Sequence, residues 1–357
     1  MKNFLIAVLL MMGGGAFAQT ETTSYRPGVT PEGAVYFLPK TVLRFVVRVE
    51  KTTYTPGDFC SYAKRYMRLD NVGQEPTTTH RLLGMTMTTY GEADKTKGYA
   101  VKFNAKTSAC NISLADDGTL LAINATARKP ETAAPFRPSP KPTPVNPRQY
   151  LSEEVLTVGS MAKMAEMTAQ EIFDIRDSKN YLNRGEADYM PKDGEQLRIM
   201  LANLDRQDHA LTQLFTGTTV KDTAEYVLTI CPQPGMEKQV LFRLSQQLGL
   251  VDSDDLSGEP YYITVTDEKN LPEEAPATEK SKKKKDKEDG IYVNIPGKIT
   301  VTIYKGATEL DSFETSAAQY GYTELLSGEL FNKRYTTHLT LNPATGAIDK
   351  LDAEQPD

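Results

Sequence analysis

Residues 42–54 read VLRFVVRVEKTTY, β-branched and aromatic side chains in partial alternation with polar ones, which predicts a strand. Before it, residues 24–41, SYRPGVTPEGAVYFLPKT, read as two successive turns at Pro27-Gly28 and Glu32-Gly33 that deliver the chain into the first β unit. Pro39 then belongs near a strand start or a sheet edge, where its missing N–H is harmless. After the strand, Thr55-Pro56-Gly57 turns the chain, and DFCSYAKRYMRL predicts a short helix with Asp58 as its N-cap. Strand patterns recur at 79–90 and 99–104. Residues 111–124, NISLADDGTLLAIN, predict a hairpin, because Asp117-Gly118 sits between two alternating runs.

The period changes from two to 3.6 after residue 160. Met161, Met164, Ala165, Ile172 and Ile175 fall on one helical face. A second helix over 192–215 carries Leu197, Leu201, Leu204, Leu211 and Phe215 at spacings of three and four, with only Asp208 breaking the seam. NRGEADYMPKDG between them has turn chemistry and a proline, so the pair predicts a helical hairpin. The stripe Met161, Met164, Met167 reads as plain core ahead of an adaptable groove. Strand patterns then return at 224–231, 239–248, 261–267, 291–304 and 335–342. The closing TLNPATGAIDKL repeats the strand–turn–strand cadence of the DDG hairpin. The expected class is α+β, with mainly antiparallel β N- and C-terminal parts around a central helical hairpin.

Two segments stand apart by composition. Residues 130–147 hold seven prolines in eighteen positions, which no helix or central strand tolerates, so they predict an extended linker. EEAPATEKSKKKKDKEDG carries four lysines at 282–285 among acidic neighbours and reads as a solvated, disordered loop over 272–290. The expected organisation is a β-rich domain over 19–128, a linker over 129–149 and a C-terminal domain over 150–357, with the helical hairpin at 160–215.

The first twenty residues set the compartment. Lys2, the apolar run from Phe4 to Met12 and Ala16-Phe17-Ala18 have the order of a secretory signal peptide over 1–18, cleaved after Ala18. The apolar core is too short for a spanning helix, and no later stretch reaches the roughly 20 apolar residues a span needs. The expectation is an exported, periplasmic protein with no transmembrane segment after cleavage. Export permits disulfides, and among Cys60, Cys110 and Cys231 the pair to test is Cys60 with Cys110. Buried free thiols are the competing reading. The formal charge of −6 over 357 residues gives no nucleic-acid surface. Tryptophan is absent, which weakens a carbohydrate-stacking role, though 18 tyrosines can substitute.

Motifs for chemistry are missing. His80 in TTTHRL and His338 in YTTHLT sit in matching strand-like settings but have no ligand-spaced partners, and His209 reads as exposed. There is no G-x-S-x-G, no phosphate loop and no Ca²⁺ loop. No catalytic, cofactor-binding or metal residue is therefore assigned, and no cofactor is expected.

The run Tyr25, Pro27, Gly28, Glu32, Gly33, Tyr36, Leu38, Pro39, Lys40, Thr41, the stretch YTPGDFCSYAKRY at 54–66, IFDIRDSK with GEADYMPKDGEQLRIML in the helices, and IPGKITVTI and LNPATGAI near the end form a set. In these residues the mature chain resembles the secreted Bacteroidota family known as domain of unknown function 4831. The resemblance implies a Gram-negative, gut-type source and lends no activity, cofactor or catalytic residue. The proline-rich linker and the lysine loop fall outside the matching pattern. That lineage O-glycosylates exported proteins at Asp-(Ser/Thr)-apolar sites, so Asp222-Thr223-Ala224 makes Thr223 a modification candidate. The expected function is a non-catalytic binding or scaffolding protein of the cell envelope, serving assembly or transport of surface components. Its partner, an envelope protein or a glycan, and its oligomeric state are not specified by the sequence. The alternatives are an envelope hydrolase acting on glycan or peptide, and a surface glycan-binding module.

Overall fold

The computed structural model describes residues 21–27, 33–102, 111–129, 136–138, 145–191, 193–272, 288–331 and 336–354. The signal segment, Cys110, most of the proline-rich linker and the lysines at 282–285 lie outside the described residues.

Two very long hairpins dominate. The first pairs β2 (Ala34–Thr55) with β3 (Thr77–Lys102), and β6 (Thr218–Ile230) lies on the other side of β2. The second pairs β10 (Glu288–Lys305) with β11 (Thr308–Ser327), followed by β9 (Glu259–Asp267), β7 (Gln239–Ser245) and β8 (Gly249–Val251). A four-residue strand, β1 (Glu21–Ser24), joins the halves by pairing with both β3 and β10. A second sheet runs β13 (Ile348–Glu354), β12 (Thr336–Leu341), β5 (Leu120–Ile123), β4 (Ile112–Leu114). Every pairing between named strands is antiparallel, as expected.

The alternation in VLRFVVRVE explains the packing. Leu43, Phe45, Val47 and Val49 all point one way and are buried against Ile263, Val265, Ile299, Val301, Ile303 and Phe242 of the other half. Two twisted sheet faces thus close over one apolar layer. A second cluster joins Tyr36, Leu38 and Val101 to Leu120, Ile123, Ile291, Val293, Leu339 and Leu341. Both clusters combine residues from before and after the proline-rich stretch. The boundary expected at 129–149 therefore does not separate two cores. Neither side of it buries its apolar face without the other.

The helical layer has its own cluster. Helix α1 (Glu153–Thr157) is short; α2 (Met161–Arg184) and α3 (Gly194–Thr216) form the expected hairpin, with Gly185 at φ 74° closing α2. Phe59, Ala63 and Met67 pack against Ala165, Ala169, Ile172, Leu211, Leu214 and Phe215. The helix expected at 58–69 is instead a 3-10 turn over Cys60–Tyr62 running into a π-turn over Ala63–Met67. Asp58 is no cap; it pairs with Arg148 at 2.8 Å. Gly57 has a backbone reason to be glycine, since a Cβ there would stand 2.2 Å from the Leu214 carbonyl oxygen. Asp208, the polar break in the α3 seam, faces α2 and meets Arg176 at 3.0 Å, with Lys179 bridging to Asp205.

Three other expectations change. The strands expected at 79–90 and 99–104 are, as far as the described residues run, one strand ending at Lys102, with an irregularity where the register passes from Pro39↔Ala93 to Phe37↔Gly98. Asp94 caps that excursion by accepting from the Thr96 amide and hydroxyl. Strand β11 has no counterpart among the expected elements, because its acidic and small residues lack a clear period. Pro39 sits at the register shift within β2, beyond the Leu43–Thr55 stretch that β6 covers, so its missing N–H costs no ladder bond to β6.

Candidate functional site

The DDG hairpin forms as the pattern requires, with Gly118 at φ 86° and Phe37 N–H donating to its carbonyl. Around Phe37 and Pro39, three distant segments meet. Asn294, fully buried on β10, donates through Nδ2 to the carbonyls of Pro39 and Thr345, both at 2.9 Å. Thr41, also fully buried, donates to the Ala344 carbonyl at 3.0 Å and accepts from the Ala318 amide at 3.0 Å. Gln319 accepts from the Thr41 amide and returns Nε2 to the Thr41 carbonyl at 2.7 Å and the Cys231 thiol at 3.1 Å. Gly91 completes the lock, because a Cβ there would fall 2.1 Å from the Pro343 carbonyl oxygen. The Pro39-Lys40-Thr41 and Asn342–Gly346 segments, far apart in the chain, are neighbours.

Beside this lock opens a cleft of about 320 Å³, lined by Tyr90, Arg128, Lys129, Thr315, Ser316 and the Asn342–Thr345 turn. Asn342 shapes the turn by accepting from the amides of Ala344 and Thr345. Arg128 approaches Asp349 at 3.8 Å, with both side chains partly exposed.

Next to the lock, the Tyr320 hydroxyl donates to the Gln233 carbonyl at 2.5 Å. Burial, reinforced by the charges of Asp267 and Cys231, pushes its phenol up to about 12. An unfolded tyrosine titrates near ~10, so the native state holds this proton more tightly. The associated stability is complete below about pH 10 and is lost as pH rises towards about 12. Tyr320→Phe is expected to flatten the alkaline fall in Tm between about pH 9 and 11, leaving the part due to other groups such as Tyr36, Tyr54, Tyr90 and Tyr261, whose phenols burial also raises. Thermal melts across that range check it; an unchanged alkaline slope would remove Tyr320 from the account.

The candidate residues from the sequence do not converge on the cleft. His80 lies on β3 opposite Lys51 and packs over Gly249, with its Nδ1 buried and unpartnered. His338 lies on β12 in the other sheet, its Nδ1–H donating to the Asn124 carbonyl. His209 faces a shallow depression with Arg176, Asp205 and Asp208. Among the described residues no group of three His, Cys, Asp or Glu is placed to hold a metal ion. Cys60 and Cys231 are half-buried free thiols. Cys110, its expected partner in a disulfide with Cys60, lies outside the described residues. Thr223 is half-buried on β6, an end strand of its sheet, opposite Glu50. It shares a face with the ion pairs Arg48–Glu225 and Lys221–Glu50.

A second surface is apolar. In α3 no residue before Ala210 is buried. Around the loop end of the hairpin, Tyr181, Tyr189, Met190, Ile199 and Met200 are exposed, Tyr189 at 76%. Along α2, Met161 and Phe173 are exposed too, while Met164 packs on the helical core, so the methionine stripe is only partly core. Among the described residues no helix is long and apolar enough to cross a membrane.

Fold and surfaces together define an α+β protein whose long antiparallel hairpins carry a projecting helical pair. The family model for a domain of unknown function (DUF4831) matches residues 32–349, and the chain belongs to that family. No curated protein and no solved structure matches the chain.

Proposed function

We propose that the protein is a non-catalytic, exported component of the cell envelope. It works in the periplasm as a binding or scaffolding element in the assembly or transport of surface components. The observation that carries this reading is the outer half of the helical hairpin. Tyr181, Tyr189, Met190, Ile199 and Met200 are exposed there, and exposed apolar surface of this kind marks sites of protein contact. The order of charges and apolar residues over 1–18 supports export, and Thr223 on an end strand supports modification after export.

The test combines location with capture. N-terminal sequencing of the periplasmic fraction is expected to begin at Gln19. A variant carrying Tyr181→Ser, Tyr189→Ser and Ile199→Ser is expected to keep the wild-type Tm within about 2 °C, since exposed positions contribute little. The same variant is expected to lose the envelope proteins that crosslink to the wild type. Identical crosslinking profiles for the two proteins would remove the hairpin from the proposal, and retention in the cytoplasm would remove the compartment.

A further inference from the structure

We propose that the cleft beside the Asn342–Thr345 turn binds a small sugar-like solute bearing a carboxylate or a phosphate. Its lining includes two adjacent cations, Arg128 and Lys129, and no carboxylate, in a chain whose formal charge is −6. Arg128 is only loosely engaged, at 3.8 Å from Asp349 across a partly solvated gap, which leaves its planar fork open to a carboxylate or phosphate. The lining also includes the neutral, hydroxyl-bearing Thr89, Thr315 and Ser316, groups that can both donate to and accept from ligand hydroxyls. Tyr90 and Pro343 add flat apolar faces suited to the C–H side of a sugar ring. The volume of about 320 Å³ lies at the small end of ligand pockets, enough for a single ring and not for an extended chain.

The turn that forms one side of the cleft is also fixed before any ligand arrives. Gly91 is pressed against the Pro343 carbonyl, and Asn294 and Thr41 hold the turn from beneath. Ordering on binding therefore falls mainly on the exposed Arg128 and Lys129 side chains.

The experiment is calorimetric titration of the full mature chain with glucuronate, glucose 6-phosphate, glucose and inorganic phosphate. Both anionic sugars are expected to bind with micromolar-to-millimolar dissociation constants, weakening as salt is raised. The double variant Arg128→Ala, Lys129→Ala is expected to weaken both at least about tenfold, with an unchanged melting curve because both side chains are exposed. The ratio of glucuronate to glucose 6-phosphate affinity identifies which anion the site prefers. Glucose binding as tightly as glucuronate would overturn the charge assignment. Inorganic phosphate binding as tightly as glucose 6-phosphate would overturn the sugar assignment. No saturable binding of either anionic sugar, or equal binding by the double variant, would overturn the site. The hairpin variant described above is expected to bind both anionic sugars normally, so this result and the scaffold reading stand or fall separately.

Discussion

Asn294→Ala is expected to lower the unfolding free energy by about 2–4 kcal/mol, a large fraction of a typical domain's stability. The side chain is fully buried and its amide is the shared donor to the Pro39 and Thr345 carbonyls. Truncation strands two buried acceptors, each costing about 1–3 kcal/mol. One gain offsets part of this, because Asn294 Oδ1 itself has no partner and its burial cost vanishes with the side chain. Asn294→Asp is expected to be worse than alanine, since it sets a buried carboxylate against two carbonyl oxygens. Denaturant midpoints at constant m-value separate the cases. An alanine variant within about 0.5 kcal/mol of wild type would show that the three segments hold together without this residue.

Gly321→Ala is expected to be more damaging, above about 4 kcal/mol or preventing folding outright. Its added Cβ would stand 1.7 Å from the Ile295 carbonyl oxygen, where the β10–β11 register shifts between Ile295 and Gly297. Backbone on both sides leaves no flexible side chain to move aside. Gly84→Ala is the control. Nothing lies within 4 Å of its Cβ on β3, and alanine there is expected to be neutral or slightly stabilising. Comparable melting temperatures for the two variants would mean that the sheet can reform its register around residue 321.

The contrast between these glycines also shows what the sequence could tell. Local signals were legible: Asp117-Gly118 marked its hairpin, the 3.6 period marked α2 and α3, and the alternation at 42–54 marked the buried face of β2. Features made by distant pairing were not. Strand β11 is held by its ladder with β10 and by two small buried residues, Ala317 and Ala318, so it needs no apolar alternation of its own. Strand β1 is four residues long and finds order only between β3 and β10. Two cores split across a proline-rich stretch look like two domains until the partners are known. The cleft was illegible for the same reason: Tyr90, Arg128, Thr315 and Asn342 come from four separate stretches. One clue was available in Asp208, whose polar interruption of an apolar seam foretold a charged partner on the facing helix.

Strand β1 also sets an order of events. Thr22 takes its place opposite Glu288 as well as Val101, so β1 gains its second neighbour only once nearly the whole chain exists. Contacts this remote in sequence are closed late and slowly, because the entropy of the intervening loop is lost before the contact repays it. A chain ending before residue 288 would lack β10 and β11 and leave Leu43, Phe45, Val47 and Val49 without Ile299, Val301, Ile303 and Ala317 of their shared core. The last long hairpin to appear is the one that completes the pairing of the first strand.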